Sequence, residues 1–330
     1  MNLPVPPLVL RRLVRDPIYA VGGPLVAALL VVLGALAWVL ELPSRRKRGW
    51  RLLWTAAAAV VLDWTVFARC TLLWCAMPPS RRNPQLWRER NVRILREELQ
   101  RFMKIADRLV GLDVRINAPT IPDDRPVLLL ARHAGAGDSL LMVHVITDLL
   151  HRVPRVVLKR ALLWDPAMDL CVRRLGGYFI GSGRRDRQRR EAELRAFAES
   201  LQPGDIALLF PEGRNWTVGR HRAEVEAALA AGNSERAAWL ERHPRVLSPR
   251  ATGVRRILRA QPRIPVLVGG HQGLEDLASV RSIWRALPLH WPIHIDLISA
   301  EPPSDEHVEQ WLNDEWGRLD AWTDWLDGDD

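Results

Sequence analysis

A histidine and an aspartate follow one apolar run, and their spacing suits a general base. His133 and Asp138 enclose four small residues directly after the run Val127–Ala131. A carboxylate bonded to one imidazole nitrogen fixes the tautomer, so that the other nitrogen accepts a proton from a hydroxyl. The spacing alone is weak, because His271 and Asp276 repeat it in the same chain. For either pair, the alternative is a histidine at a strand end and an aspartate that caps a helix.

A second motif follows another apolar run. Phe210-Pro211-Glu212-Gly213-Arg214 ends the run Ile206–Phe210. The carboxyl ends of parallel strands gather at one edge of a sheet, where ligands bind. We therefore expect His133 and Glu212 to meet there. The alternative is an ordinary strand-to-loop turn that carries a surface ion pair.

A glycine-rich basic segment lies between these two motifs. Gly176–Arg185 precedes a predicted helix, and backbone N–H groups with guanidinium groups bind phosphate well. Arg184 is the candidate cation in this segment, and Lys159 and Arg214 are expected to join it at the sheet edge. The alternative is a solvated basic loop, because further arginines continue the run.

Taken in order, these motifs resemble those of the glycerolipid acyltransferases, and specifically the 1-acylglycerol-3-phosphate O-acyltransferases. That family has an H-x4-D motif, a G-x-x-F-I motif with a basic residue, F-P-E-G, and an apolar block that contains proline. The resemblance covers roughly residues 125–270. The corresponding positions are His133 with Asp138, Gly177–Arg184, Phe210–Gly213 and Ile264-Pro265-Val266.

Two departures from the family pattern affect the expected phosphate site. The family's E-G-T-R is Glu212-Gly213-Arg214-Asn215 here, so the arginine has moved by one place. The basic residue that follows F-I is displaced to Arg184 by Gly181-Ser182-Gly183. Both departures leave the reaction class better supported than the identity of the acceptor.

The resemblance implies acyl transfer in phospholipid biosynthesis. The acyl group would pass from acyl-CoA or acyl carrier protein to the hydroxyl of lysophosphatidic acid, with glycerol 3-phosphate or another lysophospholipid as the alternative acceptor. His133 would act as the base oriented by Asp138, and amides of Gly135–Gly137 would hold the oxyanion. No metal or cofactor beyond the thioester co-substrate is expected. The substrate-binding residues implied are Glu212, Gly213, Arg214, Arg184 and Lys159, with Glu212 ordering the loop or binding a glycerol hydroxyl.

Two rival functions come from other classes. Gly137-Asp138-Ser139-Leu140 spells the G-D-S-L string of a family of serine esterases, in which Ser139 would be the nucleophile. Those enzymes also need a downstream D-x-x-H, and the G-x-S-x-G elbow of another hydrolase class is missing here. The second rival is a non-catalytic membrane-binding protein. The four motifs in family order favour the acyltransferase over both.

The N-terminal part predicts membrane association. Val21–Leu42 is apolar up to Glu41 and long enough to span a bilayer, and the basic run Arg45–Arg48 follows it. A second stretch, Leu52–Met77, is interrupted by Asp63 and Arg69. The alternative is a cleaved signal peptide followed by a buried helix. With two spans the basic loop would face away from the catalytic domain, so one span plus an interfacial helix, or a shallow hairpin in one leaflet, fits better.

The charge distribution points to an anionic membrane surface. The net charge is +9, and residues 1–104 hold 17 Lys and Arg against 6 Asp and Glu. Nucleic acid is the first partner to consider for such a basic chain, but the densest cations flank apolar segments. We therefore expect lipid and thioester partners, with acyl carrier protein as one candidate, and no nucleic acid. The predicted location is the cell membrane, with the catalytic domain on the cytoplasmic side. Three cysteines provide neither a disulfide framework nor a zinc site.

Beyond the boundary predicted at residue 84, apolar runs alternate with helical segments. This alternation predicts an α/β domain, with a mostly parallel central sheet flanked by helices, over residues 85–330. An acidic amphipathic helix is expected at 305–326. The strands are predicted at Val127–Ala131, Val156–Leu158, Tyr178–Ile180, Ile206–Phe210, Val266–Val268 and Ile293–Ile298. The helices are predicted at 85–110, 138–150, 165–174, 186–201, 221–242 with a break at Gly232, and 251–260.

Overall fold

A computed structural model describes residues 5–44, 46–135, 137–181, 187–277 and 279–327. The chain divides into two compact units. The first unit comprises Met1–Asp113, Val143–Arg187 and Trp284–His290. The second unit comprises Val114–Met142, Gln188–Ile283 and Trp291–Asp330. This division differs from the boundary predicted at residue 84, because the helix after that boundary packs on the N-terminal helices.

The second unit is built on strands that run as β1-β7-β6-β2-β5. Each pairing among them is parallel except that of β6 with β7, which is antiparallel. β2 and β5 are buried along their whole length, as expected for parallel strands covered on both faces. The mostly parallel α/β fold predicted from the sequence is confirmed. The strand bounds are β1 Val114–Asn117, β2 Val127–Ala131, β5 Asp205–Leu209, β6 Val266–Gln272 and β7 Ile293–Ala300.

The helices of the chain agree closely with the predicted segments. Gly232, with φ +69°, separates the two helices that replace the predicted 221–242 segment. The predicted helix at 138–150 ends its α-helical part at His144 and continues as one π-helical turn, Val145–Leu149. The remaining bounds are Pro166–Arg174, Arg187–Glu199, Val218–Ala230, Ser234–Arg242, Ala251–Ala260, Val280–Ala286 and Val308–Asp327.

Two short elements escaped prediction. β1 has four residues in which half-buried Val114 and Ile116 alternate with exposed neighbours, and so it contains no apolar run. The seven-residue helix Val280–Ala286 buries no residue, so it has no apolar stripe to detect. Both elements depend on neighbours that are distant in sequence.

The first unit opens with a helical hairpin, which we define as the helices Leu8–Leu40 and Arg48–Ala76. Both are long and apolar enough to cross a membrane. Two glycines allow close packing: a Cβ at Gly23 would lie 2.5 Å from the Trp64 ring, and one at Gly34 would lie 2.1 Å from the Trp54 ring. Each indole N–H donates to a carbonyl of the first helix, at 3.0 and 3.2 Å. The hairpin is consistent with the predicted membrane association.

A charged helix, Pro84–Val110, packs along the second hairpin helix. Arg69 of the hairpin forms 2.6 Å ion pairs with Glu97 and Glu98, and the Arg51 guanidinium donates to the Leu109 carbonyl. Since Arg69 and Arg51 lie near opposite ends of their helix, the charged helix covers the hairpin over most of its length. These contacts explain why no division of the chain falls at residue 84.

The first unit also contains the strands β3, Val153–Lys159, and β4, Tyr178–Ile180. They pair in parallel, with Lys159 opposite Ile180. The buried Arg155 side chain donates to the Gly176 carbonyl at 2.8 Å and so fixes the turn that leads into β4. Lys159 therefore ends a strand, as predicted, and its side chain is exposed.

Candidate active site

The centre of the site is a hydrogen bond between His133 and Asp138. His133 Nδ1 lies 2.7 Å from Asp138 Oδ2, so Nδ1 carries the proton that the bond requires. Within the described residues, the other ring nitrogen, Nε2, has no hydrogen-bond partner. The His133 side chain is 18% exposed and that of Asp138 only 2% exposed. The imidazole thus presents the lone pair of Nε2, while its Nδ1–H group bonds to a buried carboxylate.

Local sequence explains this geometry. β2 ends at Ala131, and the chain turns through Gly135 and Gly137, which have φ of +99° and +87°. A Cβ at Gly135 would lie 2.1 Å from the Leu274 carbonyl oxygen, so no larger residue fits there. Asp138 then begins the helix Asp138–His144, as the sequence predicted.

The Asp138 carboxylate is held in its ionised form. Burial by itself would raise the pKa of Asp138, but the hydrogen bond from His133 and the proximity of His271 outweigh burial and hold the pKa well below its usual range. The second carboxylate oxygen accepts from the Ser139 backbone N–H at 2.5 Å. Asp138 is therefore an anion at neutral pH.

The Phe210–Gly213 motif lies beside His133 because β5 pairs with β2. Leu209 of β5 pairs with Leu130 of β2, so the two strands end at nearly the same level of the sheet. The Phe210 ring packs on the His133 ring with centroids 4.6 Å apart. Behind the ring, the Trp216 backbone N–H donates to the His133 carbonyl, and Asn215 Nδ2 donates to the Gly135 carbonyl at 2.9 Å. The expectation that the two motifs meet at one sheet edge agrees with this geometry.

Glu212 lies inside the protein. Its side chain is fully buried, and Oε1 accepts a 2.9 Å hydrogen bond from the indole N–H of Trp316, on the C-terminal helix Val308–Asp327. Among the described residues, Oε2 has no hydrogen-bond partner. Burial raises the pKa of Glu212 to about 8, although the indole bond and the Arg132 charge oppose it. This position favours the loop-ordering role over direct binding of a glycerol hydroxyl.

We expect stability to report the protonation of Glu212. A carboxyl group whose pKa is higher in the folded than in the unfolded protein stabilises the fold fully below the unfolded pKa, and this contribution is lost as the pH rises toward about 8. Glu212→Gln keeps an acceptor for Trp316 and cannot ionise. The decrease in Tm between pH 5 and pH 8.5 should therefore be smaller in Glu212→Gln than in the wild type, as measured by thermal unfolding in detergent.

The matched control is Glu226→Gln, because Glu226 is exposed on the helix Val218–Ala230. It should reproduce the wild-type pH dependence of Tm. Equal pH dependence in all three proteins would show that Glu212 does not ionise abnormally.

The structure describes two of the three predicted phosphate-binding cations, and these two lie in different environments. Arg214 is half-exposed, and its guanidinium donates to Glu224 at 2.9 Å, so part of its charge is already paired. Lys159 is exposed at the end of β3, in the first unit. Arg184 lies outside the described residues. Their joint role in phosphate binding stays a prediction.

Arg250 is a cation that sequence reasoning missed. Its backbone N–H donates to the Pro211 carbonyl at 3.0 Å, and a Cβ at Gly213 would lie 3.4 Å from its Nη1. The side chain is exposed, and within the described part of the chain its guanidinium has no ion-pair partner. The sequence contained no signal for Arg250, because only the fold of the 243–250 segment brings it to the loop.

His271 is a second residue whose position the sequence did not reveal. Its ring is completely buried, and its Nε2 lies 3.7 Å from Asp138 Oδ2. The side chain of Asp276, the partner that the spacing suggested, lies outside the part of the chain that the structure describes. The signal that was available is the strand β6, which places His271 at the same sheet edge as His133.

The geometry around Ser139 does not resemble that of a serine nucleophile. Ser139 Oγ lies 3.2 Å from Asp138 Oδ1, and among the described residues no histidine nitrogen bonds to it. A D-x-x-H string, Asp148–His151, does follow Ser139 in the sequence. Asp148 accepts a hydrogen bond from Gln100, however, and His151 is exposed.

A protein family and a solved structure are similar to this chain. The chain is similar to the crystal structure of the 1-acyl-sn-glycerophosphate (LPA) acyltransferase PlsC from Thermotoga maritima. That comparison has 15% sequence identity and a TM-score of 0.45, and it covers 96% of this chain and 98% of that chain. A search of the curated proteins found no match. The acyltransferase family matches residues 114–269, which include His133, Asp138 and Phe210–Gly213. Residues 114–269 of the chain are therefore similar to the acyltransferase family.

Proposed function

We propose that the protein transfers a fatty acyl group from acyl-CoA or acyl carrier protein to the hydroxyl of lysophosphatidic acid. The observation that carries this proposal is the His133–Asp138 pair, held at a parallel sheet edge inside the segment that the acyltransferase family matches. One ring nitrogen is bonded to a buried carboxylate and the other is free. This is the arrangement that a general base requires.

In the proposed reaction, His133 Nε2 takes the proton of the acceptor hydroxyl as its oxygen attacks the thioester carbonyl carbon. A C–O bond forms, the C–S bond breaks, and the thiolate leaves with the proton that His133 returns. Asp138 stabilises the imidazolium that exists between these steps. Because a thioester is already activated, this sequence needs no covalent enzyme intermediate.

The turn after His133 is suited to stabilising the tetrahedral oxyanion. Its positive-φ glycines, Gly135 and Gly137, direct backbone N–H groups differently from an extended chain. Gly137 is exposed, so a substrate can approach its backbone. Ala136, between them, lies outside the described residues. The amides of this turn remain the proposed oxyanion site.

The acceptor is proposed to carry a phosphate. Arg250 adds an exposed cation next to Gly213, in the same unit as His133, whereas Arg214 is partly neutralised by Glu224. Guanidinium groups bind phosphate through paired, charge-assisted hydrogen bonds. Arg184 and Lys159 stay as the further proposed contributors.

A panel of acceptors tests both the reaction and the phosphate. With each thioester donor, lysophosphatidic acid should be turned over fastest, glycerol 3-phosphate next, and monoacylglycerol far more slowly. Arg250→Ala and Arg184→Ala should each raise the acceptor KM about 10-fold, the loss expected for one charge-assisted bond, and leave the donor KM nearly unchanged.

Arg222→Ala is the control, because Arg222 is an exposed arginine on the helix Val218–Ala230. Equal turnover of monoacylglycerol and lysophosphatidic acid would contradict a phosphate-bearing acceptor and leave acyl transfer intact. Absence of transfer to any acceptor from either donor would contradict the reaction itself.

We further propose that the hairpin enters one leaflet from the cytoplasmic side. At its loop end, Arg48 donates to the carbonyls of Leu287 and Arg285 at 3.0 and 2.9 Å. Near its other end, Arg11 forms a 2.5 Å ion pair with Asp169. Two spans would put these polar partners on opposite sides of the bilayer, although both belong to the same compact unit. The charged helix along the hairpin is also incompatible with hydrocarbon on that face.

Cysteine labelling distinguishes the topologies. In a Cys75→Ser background, Lys47→Cys should stay unlabelled by a membrane-impermeant maleimide in intact cells and react after permeabilisation. Glu226→Cys, on the proposed cytoplasmic side, should behave in the same way. Labelling of Lys47→Cys in intact cells would show that the hairpin crosses the membrane. The protein should also resist extraction by high salt, because apolar burial and not charge holds it.

A further inference from the structure

His271 is a buried imidazole whose role the acyl-transfer mechanism has not used. Its side chain is 0% exposed, and within the described residues neither ring nitrogen has a hydrogen-bond partner. Buried polar groups without partners are costly and uncommon in folded proteins. An apolar side chain would fill this place without that cost. Asp138 Oδ2 lies 3.7 Å from His271 Nε2.

The sheet explains why His271 reaches this place. β6 pairs in parallel with β2 on the side opposite β5, and Gly269 stands opposite Ala131. His271 and His133 each lie two residues beyond that pair, so they lie at the same level, His271 within β6 and His133 just after β2. The Arg132 guanidinium donates to the His271 carbonyl at 2.8 Å and anchors the backbone. The ring is thus held against Asp138 by two neighbouring strands.

We propose that His271 is a positioning residue for the catalytic pair, with its Nε2–H directed at the Asp138 oxygen that His133 also contacts. At 3.7 Å the contact is too long for a hydrogen bond. It becomes one if the carboxylate moves by less than 1 Å as His133 gains and loses its proton. Asp138 would then be held between two imidazoles. His133 transfers the proton, and His271 keeps the carboxylate in place. This role rests on the proposed acyl transfer.

The charges around the pair determine the expected direction of the pH effect. The charged groups on the neighbouring elements are Arg132 directly after β2, Glu212 after β5, Glu275 after β6, and Asp320 on the C-terminal helix. Burial raises the pKa of Glu212 to about 8, and Glu212 is unchanged in the variants below. A donor on Asp138 reduces the attraction between the carboxylate and the His133 imidazolium. Removing that donor should therefore raise the pKa of His133.

Two substitutions of His271 by side chains of similar length distinguish the effect of its hydrogen-bond donor from the effect of its packing. Gln places an amide N–H close to the position of Nε2, whereas Met fills the same space without a donor. We expect His271→Met to lower kcat about 10-fold, the loss of one hydrogen bond to a charged group, with the acceptor KM unchanged. The acid limb of its kcat/KM profile should move to higher pH. His271→Gln should stay near wild type in both respects.

The comparison has its own controls. His221→Gln, where the ring bonds to the Leu240 carbonyl away from Asp138, should be silent. In an Asp138→Asn background, His271→Met should cause no further loss, because the carboxylate through which it acts is gone. An imidazole NMR titration of His133 in detergent gives the pKa without any substrate, so it remains informative if the wild type transfers no acyl group.

Three outcomes would overturn the inference. His271→Met could match the wild type in kcat and in the pKa of His133. Gln and Met could be equally impaired, which would show a packing role. His271→Met could cost as much in the Asp138→Asn background as in the wild type. If Met lowers Tm so far that the protein does not fold, the NMR titration of His271→Gln still tests the proposal, because a His133 pKa that differs from the wild-type value in that variant overturns it.

Discussion

Replacing Asp138 by asparagine is expected to lower acyl transfer by about 10⁴-fold, the effect known for the orienting aspartate of a catalytic triad. Asp138 Oδ2 accepts a hydrogen bond from the Nδ1–H group of His133 at 2.7 Å. An amide in its place can donate to Nδ1, and the imidazole then carries its proton on Nε2, where the acceptor hydroxyl must be deprotonated. The measurement is kcat with saturating thioester and acceptor.

Asparagine has nearly the shape of aspartate, so the variant should fold. Its Oδ1 can still accept the Ser139 backbone N–H that Asp138 accepts at 2.5 Å. Asp305→Asn is the matched control, since Asp305 forms a surface ion pair with Arg259. Wild-type activity in Asp138→Asn would show that the carboxylate does not orient His133.

Replacing His133 by alanine is expected to lower transfer by about 10³-fold or more, because the variant has no group to accept the hydroxyl proton. The ring is partly exposed and packs mainly on Phe210, so its loss should change Tm little. Transfer from a radiolabelled thioester to lysophosphatidic acid measures the effect, and thermal unfolding verifies the fold.

Ser139→Ala distinguishes this mechanism from a serine esterase. Ser139 Oγ contacts only Asp138 among the described residues, at 3.2 Å, so its removal should leave transfer close to wild type. An inactive Ser139→Ala protein together with an active His133→Ala protein would overturn the acyltransferase mechanism. That result would instead identify Ser139 as a nucleophile.

The pH profile should show one acid limb, and it should belong to His133. The pKa of Asp138 is held well below its usual range, so this carboxylate stays ionised wherever the enzyme is active. Loss of kcat/KM at low pH therefore reports protonation of the imidazole. A second acid limb in the wild type would show that another group controls the reaction.

The sequence by itself determined the elements and the order of the motifs. Continuous apolar runs such as Val127–Ala131 are typical of strands buried on both faces. Three of the six predicted strands match observed strands to within a residue, and the other three lie inside longer observed strands. The five-residue spacing of His133 and Asp138 was sufficient for their contact, because a loop of small residues closes locally. Gly232 broke its helix for a local reason too, its positive φ.

The tertiary structure alone decided which distant residues complete the site. Local periodicity does not encode strand order, so nothing in the chain near His271 shows that β6 lies beside β2. In the same way, Trp316 reaches Glu212 only because the C-terminal helix docks where it does, and Glu224 partly neutralises Arg214 from another helix. The last two contacts join residues 104 and 10 positions apart in the chain. Their partners are selected by packing of the whole domain, and a motif read along the sequence does not contain that information.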